Sequence, residues 1–273
     1  MSLTLMYDDM KYLSPTLYLE EKKFGGKDIF LANGYDRLTS MLAKEVHDIR
    51  LNTSVRKVDY QGAKIHIAIN NGSIEADYVL VTASIGILQR RAIEFSPGLP
   101  VKKLEAIDAI GFNCMNKYIV AFEKPFWDDT EQIFLATDKK NKFNLFVNLH
   151  NVDKKQVALL AFACSDEARE TENQTDEQVL NDILSNLRIM YGDKVTTPTY
   201  FNRTKWGQDP ISYGSYSYPS SNTKRHHYDD ITEDVSSKIF FAGEHTTIEY
   251  MGCAHGAYLS GFREADKIIA LQQ

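Results

Sequence analysis

The chain has 273 residues, and 31 Lys and Arg against 37 Asp and Glu give a formal charge of −6 at pH 7. With 43% hydrophobic and 25% charged residues it has a globular profile, long enough for one large or two ordinary domains. Net acidity argues against a sequence-independent nucleic-acid binder, which would present a basic face, and no apolar stretch approaches the ~18–20 residues of a membrane helix.

The start, Met1-Ser2-Leu3-Thr4, has no basic n-region or long apolar h-region, so no secretory signal is expected. The cysteines, Cys114, Cys164 and Cys253, are far apart with no C-x-x-C, which argues against a disulfide framework and a cysteine zinc site. The expected setting is reducing and cytoplasmic, without nucleic acid, membrane or metal.

In chain order, Phe24-Gly25-Gly26 reads as a turn and Asn33-Gly34 as a breaker before a short amphipathic helix, with Leu38, Met41 and Leu42 at i, i+3 and i+4. Strands follow at Ile49 to Val58 and Lys64 to Ile69, the second closed by the hairpin turn Asn70-Asn71-Gly72. His66 is a side chain on one face of that strand. Ile74 to Ala83 contains Tyr78-Val79-Leu80-Val81, apolar on both faces, which predicts a strand buried between layers.

Ser96 to Pro100 is a turn leading to another region, and Val101 to Ile110 reads as a helix with Leu104 and Ile107 inward. Asn116 to Phe122 alternates, with Tyr118, Val120 and Phe122 on one side and Lys117, Ile119 and Ala121 on the other. Residues 131–163 read as an antiparallel meander with turns at Asp138 to Asn141 and Asn151 to Lys154. Thr175-Asp176-Glu177-Gln178 is a capping box. It opens a helix to Tyr191 with the stripe Val179, Ile183, Leu184, Leu187, and Gly192 sits where a C′ glycine belongs.

Residues 200–228, dense in aromatics, Gly, Ser and Pro, read as a long ordered loop region of the kind that carries function. Within it, Lys224-Arg225-His226-His227 reads as solvated loop, because adjacent histidines diverge and no third ligand is at hand. Lys238 to Ala242 is a short buried strand, followed by Gly243-Glu244 and a helix from about Cys253 to Ala270. There is no internal repeat.

The end of the chain is the most informative stretch. A buried strand stops at a glycine and an acid, which places a carboxylate where ligands of open α/β sheets sit. The following helix opens on Gly252, Cys253, Ala254, Gly256 and Ala257, so a flat ring could approach its backbone and its positive dipole end.

This string, Phe240-Phe241-Ala242-Gly243-Glu244-His245-Thr246 leading to Gly252-Cys253-Ala254-His255-Gly256-Ala257, resembles the C-terminal FAD-binding motif of the flavin-containing amine oxidases. That family includes monoamine oxidases, polyamine oxidases and lysine-specific histone demethylases. Gly34-Tyr35-Asp36, Val55 to Val58 and Ala76 to Ala83 resemble its central FAD-domain segment. Phe95 to Pro100, Asn116-Lys117 and Pro125-Phe126-Trp127 resemble the start of its substrate domain. Trp206 to Pro210 and Gly214 to Ser217 resemble the stretch lining flavin and substrate. The match runs in order from about residue 28 to the end.

The resemblance implies an α/β with α+β fold: an incomplete FAD-binding Rossmann-like domain (28–90 and 235–273) and a mixed-sheet substrate domain with helices (1–27 and 91–234). It implies FAD as cofactor and a small-molecule amine as substrate, oxidised by O2 with release of H2O2. Lys117 matches the strand lysine that holds a water against the flavin, Val55 the residue whose backbone holds the adenine, and Glu244 the acid at the ribityl-phosphate region. Cys253 and Ala254 match the helix start beside the isoalloxazine, Trp206 the tryptophan packed near it, and Tyr216 one wall of the substrate cavity. The opposite cage wall is Cys253, where many members carry an aromatic ring.

The family's G-x-G-x-x-G unit is absent from these residues. The expectation is therefore a truncated site in which strands around Val79 and Phe240 expose edges. Such a chain should bind FAD weakly, show little oxidase activity alone, and self-associate or take a partner supplying the nucleotide-binding unit. Two alternatives are an L-amino-acid oxidase-like flavoenzyme, with Arg203 as the carboxylate ligand, and a non-catalytic interaction module.

Overall fold

The computed structural model describes residues 9–23, 25–26, 31, 34–136 and 142–273, so the readings at Phe24, Asn33 and 138–141 lie outside it. Helix α1 (Asp36–Leu42) leads to strands β1 (Val55–Asp59), β2 (Ile65–Ile69), β3 (Gly72–Ala76) and β4 (Val79–Val81). Helix α2 (Ile85–Gln89), β5 (Glu94–Ser96), α3 (Val101–Ala109), β6 (Gly111–Phe112), β7 (Met115–Ala121), β8 (Gln132–Phe134) and β9 (Lys142–Asn148) come next. They are followed by α4 (Leu149–Val152), β10 (Ala158–Cys164), α5 (Ser165–Glu172) and α6 (Asp176–Tyr191). The last elements are β11 (Tyr200–Arg203), β12 (Ser217–Tyr218), α7 (Arg225–Thr232), β13 (Ile239–Phe241) and α8 (Ala254–Ala270).

The expected meander forms a five-stranded antiparallel sheet in the order β11-β7-β10-β9-β8. Alternation in β7 sorts its faces as read: Tyr118 and Val120 are buried and Lys117 is exposed. Tyr118 meets Phe143 edge-on, with ring centroids 4.9 Å apart. Helix α6 covers this core with Val179, Ile183, Leu184 and Leu187. Its capping box is formed in both directions between Thr175 and Gln178, and Gly192 ends it with a positive φ of 56°.

A second core gathers Ile65, Val81, Ile85, Ile107, Ile231, Ile239 and Phe241. Around it lie the four-stranded sheet β3-β2-β1-β5, the β12-β6 pair and the parallel pair β13-β4. Lys103, read only as part of a helix, is buried here. Its ammonium donates to the carbonyls of Asp230 (2.9 Å) and Ile231 (2.8 Å) near the end of α7 and lies 4.4 Å from the Phe241 ring centre. Burial brings its pKa down to about 8.

Several local readings are corrected. The first strand begins at Val55, because Leu51-Asn52 forms a turn with Asn52 at φ 54°. Ile74 to Ala83 is two strands, and β4 is only half-buried at Val79 and Leu80, since β13 is its sole strand partner among the described residues. Asn151-Val152 closes α4 instead of opening a turn. Lys224 to His227 is the start of α7 and not a loop: His227 is buried, and its Nδ1 accepts from the Lys224 N–H at 3.1 Å. The described residues hold no metal-competent cluster of His, Cys, Asp and Glu.

The largest departures concern α1 and α8. Helix α1 forms, yet Leu38, Met41 and Leu42 are all exposed and no residue of it is buried. In α8 the buried residues are Gly256, Ser260 and Glu264, while Tyr258, Leu259, Phe262 and Ile269 are exposed. Polar docking explains this. The Ser260 hydroxyl accepts from the Gly243 N–H (2.8 Å), and Arg263 donates to the Phe241 carbonyl (3.2 Å) and the Thr246 hydroxyl (2.9 Å).

Candidate active site

The chain leaves β13 through Gly243 at φ 138°, where a Cβ would lie 2.6 Å from the His245 ring. Glu244 follows. Its carboxylate accepts from the Gly252 N–H at 2.7 Å, from the Ser217 N–H at 3.1 Å and from the Ser217 hydroxyl. Loss of water raises its carboxyl above the usual carboxylate range, and these donors pull it back. One acid thus ties residue 217 to residue 252, the immediate neighbours of Tyr216 and Cys253.

Gly252, at φ 68°, completes the contact, because a Cβ there would sit 3.3 Å from the Tyr216 ring. The structure therefore brings Tyr216 and the start of α8 together. Cys253 is the N-cap residue, and its side chain makes no capping hydrogen bond. Ala254 and Ala257 are exposed, leaving the first turn of a 17-residue helix open to a flat ligand. Gly256 serves another purpose: a Cβ there would strike the Tyr250 carbonyl at 2.2 Å, so its smallness belongs to the protein's own packing.

The second wall is β7. The Tyr216 hydroxyl accepts from Asn113 Nδ2 (3.1 Å) and donates to Met115 Sδ (3.5 Å), two residues before Lys117. The Lys117 N–H donates to the Thr204 hydroxyl at 2.9 Å, and the Lys117 carbonyl accepts from the Thr204 N–H at 3.0 Å. The Trp206 N–H donates to Asn116 Oδ1 at 2.9 Å. Lys117 and Trp206 are thus on adjoining segments, with the Lys117 residue exposed and Trp206 37% exposed. Val55 lies on a different sheet, opposite Ile69 on β2, and is also 37% exposed.

Arg203 is not available as a carboxylate ligand. Its side chain is 4% exposed and donates to Asp176 (2.9 Å), the Thr171 carbonyl (2.6 Å) and the Gln174 carbonyl (2.6 Å). His245 is buried, its Nε2 has no hydrogen-bond partner, and burial lowers its pKa to about 4. Ser217, Asn113 and Thr204 were not singled out as site residues in the sequence, and Gly252 was read only as a small residue at the helix start. Ser217 lies inside the string that suggested a cavity lining, but no spacing rule links it to Glu244, 27 positions away.

An open helix start beside an aromatic ring leaves room for a flat ligand over its backbone. The chain belongs to the flavin containing amine oxidoreductase family, whose profile matches residues 13–269. It is 37% identical over 254 residues to lysine-specific histone demethylase 1 homolog 2 of Arabidopsis thaliana, covering 90% of this chain and 34% of that protein. It is 32% identical over 257 residues to lysine-specific histone demethylase 2 of Homo sapiens, covering 91% and 31%. With probable polyamine oxidase 4 of Arabidopsis thaliana it shares 31% over 255 residues, covering 93% and 50%.

The chain thus spans a third to a half of the length of these relatives. Among solved structures, putrescine oxidase bound to putrescine superposes with a TM-score of 0.75 at 21% identity, over 87% of this chain and 53% of that one, which shows the fold. FAD is the cofactor of the family. The exposed first turn of α8 beside Tyr216 fits the ring end of such a cofactor, since small side chains leave its backbone approachable.

Proposed function

We propose that this chain carries the substrate-facing and ring-facing portion of an FAD-dependent amine oxidase, with residues 28–90 and 235–273 on the cofactor side and 1–27 and 91–234 on the substrate side. The chemistry supplied by a bound flavin is removal of a hydride equivalent from the carbon beside the amine nitrogen, with the electrons passed to O2 as hydrogen peroxide. The residues of this chain position and polarise. Tyr216 offers a ring face to the amine. The first-turn N–H groups of α8, from Ala254 onward, favour negative charge on a ring placed over them, whereas the Cys253 N–H is held by the Tyr250 carbonyl at 3.3 Å. The Lys117 ammonium, on the exposed face of β7, holds a water by hydrogen bonding, and Trp206 lies on the adjoining segment. Glu244 fixes Tyr216 against the α8 start, and that double tether is the observation that carries the reading.

The residues contain no G-x-G-x-x-G to cradle a pyrophosphate. The 273-residue chain therefore binds FAD weakly and is a poor oxidase alone. Mixing it with FAD and passing it through a sizing column is expected to retain less than one flavin per chain, whereas excess riboflavin quenches Trp206 fluorescence. A riboflavin response that Tyr216→Ala and Trp206→Phe leave unchanged would sink the assignment.

A second reading, an interaction module, draws on the apolar residues of α1 and α8 left in water. These side chains and the open edge of β4 pair with a second copy or with a partner supplying the nucleotide-binding unit. Nothing on Arg203 favours an amino-acid oxidase.

A further inference from the structure

Beneath the Trp206 segment lies a buried polar cluster that the reaction does not use directly. Glu172, the last residue of α5, is 5% exposed, and Asn116, on β7, is fully buried. Glu172 Oε1 accepts from Asn116 Nδ2 at 2.7 Å, from the Gly207 N–H at 2.8 Å and from Cys114 Sγ at 3.4 Å. Asn116 Oδ1 in turn accepts from the Trp206 N–H and the Thr204 hydroxyl, both at 2.9 Å. Consecutive backbone N–H groups, those of Trp206 and Gly207, are thus held by two buried side chains. The same Thr204 hydroxyl accepts from the Lys117 N–H.

Gly207 is part of the fit: a Cβ there would stand 2.8 Å from Glu172 Oε2 and 3.3 Å from Cys114 Sγ. Burial pushes the Cys114 thiol up to about 12, so it remains a donor to the carboxylate. A buried carboxylate held by several donors is costly to disturb, because removing one partner strands the others.

We propose that Glu172 and Asn116 are positioning residues that set the indole of Trp206 and the strand segment of Lys117 into one rigid wall. The proposal rests on the reading above for what that wall faces, a flavin ring. Neither residue touches the reacting atoms. Glu172 acts through the Trp206–Gly207 backbone, and Asn116 couples that backbone to β7.

The chain has two tryptophans, Trp206 and the buried Trp127, so 5-fluorotryptophan labelling of the full chain gives a reporter and an internal control. The variants are Glu172→Gln, which keeps the shape and removes the charge, and the milder Thr204→Val, which carries the test if the first fails to fold. The expected result is a shifted or broadened Trp206 19F signal with the Trp127 signal in place. Riboflavin affinity falls about tenfold, the effect of losing one charge-assisted hydrogen bond's worth of order.

A Trp206 signal that stays put in a folded variant, or both signals moving together, overturns the proposal. Movement of Trp206 alone in a protein that binds no riboflavin supports the positioning role and sinks the flavin reading instead. Riboflavin binding with an unmoved Trp206 signal does the reverse.

Discussion

The five-stranded sheet and the β4–β13 pair draw on similarly apolar sequence, yet they are covered differently. Strands β7, β9 and β10 have neighbours on both edges and α6 on one face, so Tyr118, Phe146 and Leu159 are all but inaccessible to water. The β4–β13 pair has two strands: β13 is buried at all three residues, yet Val79 and Leu80 of β4 are only half-buried, and α8, docked at the end of β13 through Ser260 and Arg263, holds large apolar side chains in solvent. The difference teaches that burial is decided by how many layers reach a strand, not by the strand's own hydropathy.

The strongest way to break this comparison is to open the covered side. Tyr118→Ala removes a fully buried ring, its edge contact with Phe143 and its hydrogen bond to Thr171. The expected loss is about 3–5 kcal/mol in urea unfolding, and a loss under about 1 kcal/mol would show that this sheet is not closed either.

The next effect is set by pH on the other side. The pKa of His245 falls from 6.5 to about 4 in the fold, so the folded state takes up its proton later than the unfolded chain. Stability from this residue is therefore complete above about pH 6.5 and is lost as pH falls toward 4, by roughly 3 kcal/mol. His245→Phe should flatten the melting temperature over that window; an unchanged slope would discount the residue.

A smaller effect tests the covering helix. Thr175→Ala removes the α6 cap and should cost about 1 kcal/mol by chemical denaturation, with Thr175→Ser recovering most of it. The smallest sharpens the contrast. Phe262→Ser on the open face of α8 should change stability by less than about 0.5 kcal/mol, while reducing self-association in sedimentation velocity. A monomeric parent protein would remove the reason to regard that face as an interface.

Much of the fold was legible wherever the signal was local. The α6 box, its stripe and Gly192 form one consistent pattern, and alternation in β7 fixed which side Lys117 would take. The site was legible as segments only. Motif resemblance placed Lys117, Trp206, Tyr216, Glu244 and Cys253 in one family pattern, but it gave no hint that Glu244 binds Ser217 and Gly252, or that Asn116 holds the Trp206 backbone. Arg203 misled because a lone arginine's partners cannot be guessed from neighbours in the chain.

By itself, the amino-acid order determined helix and strand periodicity, the caps, and a family-specific string at the chain's end, because each depends on residues a few positions apart. Only the tertiary structure decided that α8 docks by Gly256, Ser260 and Glu264 with its aromatic side chains outward, and that α1 lies with its apolar stripe in water. Periodicity shows that a helix has an apolar face, but what that face meets depends on elements far away in the chain.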